Sequence, residues 1–205
     1  MDKHFAFRGL AGFVLVGGLT GGAMAQSAPP GATAVEGGPV VSVEKMHCAV
    51  RIDPVKKGET FSSATEIGCY NTFAQAIGAA TDGQVKRPDL TPDSISESDL
   101  AGSDAGSLRV ALIGIDYDGR GFTGASLSWF TADLTGCFSP GTFFRANMPA
   151  FFNNRLTSTR AFSGCRKNDS FPGFNLTGLG IRCFPNCSYV GNFWNNTTSS
   201  KRWLR

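Results

Sequence analysis

The chain has 205 residues, is 41% hydrophobic with 26 glycines, and carries a formal net charge of +3. That length suits one or two small domains. There is no Walker loop and no dinucleotide fingerprint, so nucleotide chemistry and nucleic-acid partners are not expected. Past the N-terminus no run is apolar enough for a membrane-spanning helix.

Asp2, Lys3, His4 and Arg8 give a charged opening, Leu10 to Leu19 a Gly-broken apolar stretch, and Ala23-Met24-Ala25 the small-x-small pattern that signal peptidase cuts. This three-part grammar predicts an export signal over residues 1–25, with the mature chain starting near Gln26. The apolar stretch is too short to cross about 30 Å of hydrocarbon, and no stop-transfer charges follow it. Residues 26–44 are mostly Ala, Pro and Gly, and read as a disordered lead-in. The predicted localisation is secreted.

Residues 45–105 read as a small mixed α/β module. Cys48 to Ile52 alternates like a short strand. Phe73, Ala76, Ile77 and Ala80 fall at helical spacing, with Asn71 as the expected N-cap. Pro88 to Gly106 is polar and turn-rich, a loop or linker. It includes the acidic run Asp93, Glu97, Asp99 and Asp104. All six cysteines lie in the mature part, and an even count in an exported chain favours disulfides. Fifteen pairings are open. Sequence proximity and module layout favour Cys48–Cys69, Cys137–Cys165 and Cys183–Cys187. A zinc cluster does not fit these spacings, and His47 is the sole histidine of the mature part.

At Leu108 the texture changes. Leu108 to Ile115 reads as a buried strand, and the chain beyond it is aromatic, Gly- and Asn-rich, without helical periodicity. Short strands broken by turn residues indicate an all-β sandwich. From Gly136 onward nine Lys and Arg stand against Asp169 alone, a local charge of +8. That half, with the basic, aromatic segment Lys201-Arg202-Trp203-Leu204-Arg205, suits attraction to an anionic surface. Ordinary solubility explains the charge equally well.

Self-comparison shows a two-fold repeat. Tyr117-Asp118-Gly119-Arg120-Gly121-Phe122-Thr123-Gly124 precedes the strand-like Ala125 to Trp129. Arg166 to Gly173, ending Phe171-Pro172-Gly173, precedes Phe174-Asn175-Leu176. Each is trailed by a second element, Asn153-Asn154-Arg155-Leu156-Thr157-Ser158 in the first copy and Asn195-Asn196-Thr197-Thr198-Ser199-Ser200 in the second.

The paired elements resemble the βγ-crystallin Greek key. The aromatic-xxxx-Phe-x-Gly string is similar to its folded hairpin, and the second element to its calcium loop, (Asn/Asp)-(Asn/Asp)-x-x-(Ser/Thr)-Ser. The resemblance covers residues 106–205 and implies a mainly β, two-Greek-key sandwich behind the N-terminal module. It also implies two crossed calcium sites. Asn154 and Asn196 would offer side-chain oxygens, Arg155 and Thr197 backbone carbonyls, and Thr157 and Ser199 hydroxyls. The second hairpin departs from the pattern with Arg166 in the aromatic position. Neither loop contains a carboxylate, so calcium affinity is expected to be weak, on the order of 10⁻⁴–10⁻³ M.

Three functions are expected from these features. The first is a non-enzymatic, secreted, monomeric calcium-binding protein. The second is an inhibitor of extracellular metalloproteinases, which the resemblance implies because some secreted bacterial inhibitors share this fold; its reactive loop would lie in Phe138 to Gly164 or Phe184 to Asn186. The third is a toxin drawn to an anionic cell surface. With His47 alone available, a Ser-His-Asp or Cys-His machine is not expected. Asp116 and Asp118, two apart on one strand face, read as polar residues at a hairpin end rather than as a catalytic pair.

Overall fold

The computed structural model describes residues 46–100 and 110–205. The export signal (1–25), the lead-in (26–44) and the end of the linker (from residue 101) lie outside the described residues. The strands form two sheets. One runs β2 (Ala64–Tyr70), β1 (His47–Ile52), β4 (Ser126–Thr131), β3 (Ala111–Tyr117), β6 (Ser158–Ala161). The other runs β5 (Phe144–Asn147), β9 (Ser200–Leu204), β7 (Lys167–Phe171), β8 (Ile181–Cys183).

Two interlocked Greek keys account for most of this order. Key 1 supplies β3, β4 and β6 to the first sheet but sends β5 to the second, where it pairs with β9 of key 2. Key 2 supplies β7, β8 and β9 to the second sheet. It returns residues 187–190 to the first, with an isolated bridge between Thr159 and Cys187 and a bond from Val190 N–H to the Thr157 carbonyl at 3.0 Å. Each sheet therefore contains backbone from both keys. This is the two-key βγ-crystallin-like sandwich that the repeat predicts.

The strand β1 extends the first sheet by pairing parallel with β4, and β2 completes a hairpin with β1. Cys48 and Cys69 are register partners in that hairpin and are disulfide-bonded. The other bridges are Cys137–Cys165 and Cys183–Cys187, as proximity predicts.

Both faces of the first sheet are covered, which is why β3 and β4 are buried at every position. Val50, Leu127, Trp129, Phe144 and Trp203 pack between the sheets. On the outer face, Phe73 and Ile77 of the helix α1 (Phe73–Ala80) pack with Leu112, Ile115, Tyr117 and Phe130. That helix starts at Thr72 rather than Asn71. The Thr72 hydroxyl accepts from Gln75 N–H at 3.2 Å and Gln75 Oε1 accepts from Thr72 N–H at 3.3 Å, a reciprocal cap that Asn71 cannot make because Gln75 sits four residues beyond it. Within the expected linker, Glu97–Leu100 forms a short helix, α2.

Lys201 and Trp203 are not part of an exposed tail. Both are fully buried, because β9 is an interior strand of its sheet. Burial pushes the Lys201 ammonium below the ordinary lysine value, against the opposing pull of Asp116. Four of the nine cations counted from Gly136 onward are in ion pairs among the described residues. Arg155 pairs with Asp118, Arg182 and Arg202 with Asp169, and Lys201 with Asp116. The acidic stretch meets the basic half as well: the Asp93 carbonyl accepts from Arg160 at 3.2 Å, and Glu97 Oε1 from Ser163 N–H at 2.8 Å.

Candidate functional site

The two Asn-Asn elements fold alike, offset by 42 residues. Phe152, Asn153 and Arg155 donate backbone N–H groups within the first loop; Trp194, Asn195 and Thr197 do so in the second, at 2.9–3.3 Å throughout. Asn154 and Asn196 both adopt left-handed backbone, φ 59° and 56°. Asn tolerates that region because its short polar side chain bonds locally. The loops then clasp each other, Asn154 N–H donating to the Thr198 carbonyl and Asn196 N–H to the Leu156 carbonyl, both at 3.0 Å.

This clasp brings donors from opposite keys together. The Ser199 hydroxyl lies 3.2 Å from Asn154 Oδ1. The Thr157 hydroxyl lies 2.7 Å from Asn195 Oδ1 and 3.4 Å from Asn196 Oδ1. Four of the six expected ligand residues are thus paired through their side chains, each Asn with the hydroxyl of the other key. Arg155 and Thr197 directly follow the two asparagines, where their expected role is through backbone carbonyls.

The donor set suits a hard cation. Two oxygens bound to one calcium at 2.3–2.6 Å and at right angles stand about 3.4 Å apart, close to the spacings here. Asn153 Oδ1 is buried without a hydrogen-bond partner among the described residues, an acceptor that a cation or its water would satisfy. No group of three or more His, Cys, Asp or Glu able to hold a metal occurs among the described residues, and the oxygens gathered here are those of neutral amides and hydroxyls. A charge outside the two loop motifs also matters. Asp118 Oδ2 accepts from Arg155 at 2.6 Å, so the guanidinium nearest the first loop is matched by a carboxylate. Its signal in the sequence is the acidic residue directly after the hairpin aromatic.

The hairpins need one correction. The second copy aligns five residues later than its Phe-x-Gly string indicates. Gly119 N–H bonds to the Thr123 carbonyl and Gly173 N–H to the Thr177 carbonyl, each at 3.0 Å. The Ser158 and Ser200 hydroxyls donate to the Gly119 and Gly173 carbonyls, each at 2.6 Å. Phe171 therefore matches Tyr117, Leu176 matches Phe122, and Gly178 (φ 86°) matches Gly124 (φ 83°). The second hairpin has its leading aromatic, Phe171, and Arg166 is not in that position. Phe174 to Leu176 is the hairpin turn, not a strand.

His47 is held structurally. Its Nδ1 lies 2.9 Å from the Ser126 hydroxyl, which is fully buried in β4 and out of reach of substrate. Burial pushes the imidazole below its ordinary value, with Asp118 opposing.

No protein-family model and no curated protein matches the chain. Among solved structures it is similar to a βγ-crystallin domain from Clostridium beijerinckii, at 20% identity and a TM-score of 0.34 over 45% of this chain and 97% of that one. A clostrillin double mutant in complex with nickel is similar at 19% identity and a TM-score of 0.34, over 45% of this chain and 98% of that one. A βγ-crystallin from an Archaea is similar at 18% identity and a TM-score of 0.33, over 46% of this chain and 99% of that one.

Proposed function

We propose that this chain is a non-enzymatic, exported βγ-crystallin-like protein that binds calcium weakly at two crossed sites and is stabilised by it. The observation that carries this reading is the exchange of donors between keys, Asn154 with Ser199 and Asn196 with Thr157. A cation held there bridges the two keys, so it binds the assembled sandwich and not the unfolded chain. Three disulfides, and no described helix long and apolar enough to cross a membrane, fit an extracellular protein. Asn154, Asn196, Thr157 and Ser199 would hold the ion with side-chain oxygens, and Arg155 and Thr197 with carbonyls.

The test is thermal unfolding of the oxidised protein in chelator, in 5 mM magnesium and in 5 mM calcium. At ten times the dissociation constant, each site adds about 1.4 kcal/mol. Asn154→Gly with Asn196→Gly removes both amide oxygens while accepting the left-handed backbone, so it should abolish the calcium shift and leave the chelator transition in place. No calcium-specific shift would make the loops plain structural corners.

One observation favours a second reading, protease inhibition. Phe184 is 67% exposed inside the short loop closed by Cys183–Cys187. A disulfide-restrained loop loses little entropy on binding. Stoichiometric loss of thermolysin-like activity on adding the protein would support this role, and Phe184→Ala should abolish it.

A further inference from the structure

The centre of the sandwich holds a side-chain cluster that neither reading uses. Asp116 on β3 and Lys201 on β9 face each other across the two sheets, both with fully buried side chains. The Lys201 ammonium donates to Asp116 Oδ1 and, at 2.9 Å, to the Thr159 hydroxyl. That hydroxyl is itself 2.7 Å from Asp116 Oδ1. Trp129 Nε1–H donates to the other carboxylate oxygen, Oδ2, at 2.8 Å. The Trp203 ring lies 5.3 Å from Lys201 Nζ and packs against Trp129 at a centroid distance of 5.1 Å, tilted by 57°, walling the pair with aromatic surface.

We propose that Lys201 Nζ and the Asp116 carboxyl condense, with loss of one water, into an amide that joins the two sheets covalently. A nucleophile and a carboxyl group are held in hydrogen-bond contact, which supplies the proximity that intermolecular amide formation lacks. Both side chains are fully buried, so the carboxyl is shielded from bulk water. An ion pair buried this deeply carries a desolvation cost that a neutral amide avoids.

The step balances without any co-reactant. The ammonium passes one proton to the carboxylate, leaving an amine lone pair and a carboxylic acid. The nitrogen attacks Cγ, the C–N bond forms, and the carbonyl electron pair moves onto Oδ2, where Trp129 Nε1–H stabilises it as an oxyanion-hole donor would. The bond from Cγ to Oδ1 then breaks. Thr159 Oγ1, in contact with both Nζ and Oδ1, relays a nitrogen proton to the departing oxygen, which leaves as water. One ammonium and one carboxylate become one amide and one water, with no net charge change and nothing oxidised or reduced.

Asn168 is the rival acyl group. Its Nδ2 donates to the Thr159 hydroxyl at 2.7 Å, and its Oδ1 is buried without a partner among the described residues. Lys201 meets it only through that shared hydroxyl, whereas it touches Asp116 directly. Condensation with Asn168 would release ammonia instead.

Mass spectrometry decides the matter on the wild-type chain, expressed in full, then reduced, alkylated and weighed, with its N-terminus read from the same sample. The expected mass is about 18 Da below that of the unlinked chain. After trypsin, the peptide Val110–Arg120 should appear joined to Cys183–Arg202, because the acylated Lys201 no longer directs cleavage. Lys201→Arg and Asp116→Ala should each restore the full mass. The wild-type measurement stands even where a variant fails to fold. An unmodified wild-type mass, or a loss of about 17 Da mapped to Asn168, would overturn the assignment.

Discussion

The two keys share a backbone and differ inside. Their corners repeat most of the same backbone bonds, yet the inward-facing positions diverge. Key 1 places Asp116 and Thr159 where key 2 places Ser170 and Lys201. One half contributes the buried acid and the other the buried base. The repeat thus fixes how the chain turns, while the charges fix which half meets which. A symmetric interior would leave each key free to pair with a copy of itself; a complementary one does not.

The sharpest way to break that complementarity is to strand one charge. Lys201→Met leaves the Asp116 carboxylate buried with neither a cation nor an amide partner and should cost at least about 3–5 kcal/mol in urea unfolding. Ser170→Ala, at the position matching Asp116, should be neutral or slightly stabilising, since the Ser170 hydroxyl is buried without a partner among the described residues. Equal costs at the two sites would refute the contrast.

The disulfides differ next. Cys137–Cys165 closes a separation of 28 residues in key 1 and Cys183–Cys187 one of 4 in key 2. Replacing each pair with alanines should cost about 3.5 and about 2 kcal/mol respectively, by loop-closure entropy. The hairpin rings come after these in size. Phe122 packs on Tyr117 at a centroid distance of 5.6 Å, so Phe122→Leu, which copies the Leu176 of key 2, should cost about 0.5–1.5 kcal/mol.

The smallest contrast is in acid. His47, bonded to β4 of key 1, has a depressed imidazole, so the unfolded chain takes the proton first. Its contribution is full above pH 6.5 and is lost as pH falls from there toward the lower folded value. In key 2, burial alone would raise the Asp169 carboxyl, but hydrogen bonds from Arg182 and Arg202 outweigh it and hold it below its ordinary value. That stability is full above pH 3.8 and declines only below it. An acid titration of the melting temperature should therefore show an upper step removed by His47→Gln and a lower one removed by Asp169→Asn.

Much of this is legible in the sequence because it rests on backbone geometry. The Asn-Asn-x-x-(Ser/Thr)-Ser strings mark both loops, and proximity gives the three cysteine pairs. The second hairpin misaligns because Phe171-Pro172-Gly173 matches the end of the motif in letters but its beginning in hydrogen bonds. With Leu176 in place of the second ring, the turn is identified by the Gly173–Thr177 closure, the Ser200 bond to the Gly173 carbonyl and the positive φ of Gly178. Lys201 reads as part of a charged tail because residue type does not reveal that a strand is interior. Its partner lies 85 residues away. Thr72 rather than Asn71 caps α1 because the choice depends on where Gln75 falls, a matter of one residue in register.

The exchange of strands between keys has a consequence for timing. In the second sheet β9 is the strand partner of β5, whose other edge takes a bond from Ser62 N–H to the Arg145 carbonyl at 3.0 Å, and β9 begins 53 residues after β5 ends. At synthesis rates of 5–20 residues per second, β5 waits on the order of 3–10 s for its partner. Through that interval neither key is closed and the two Asn-Asn loops cannot clasp each other, so a nascent chain stays pliable while its first half is already complete in sequence. Such a chain locks only when residues 200–204 arrive, so its last strand sets the moment at which the fold becomes whole.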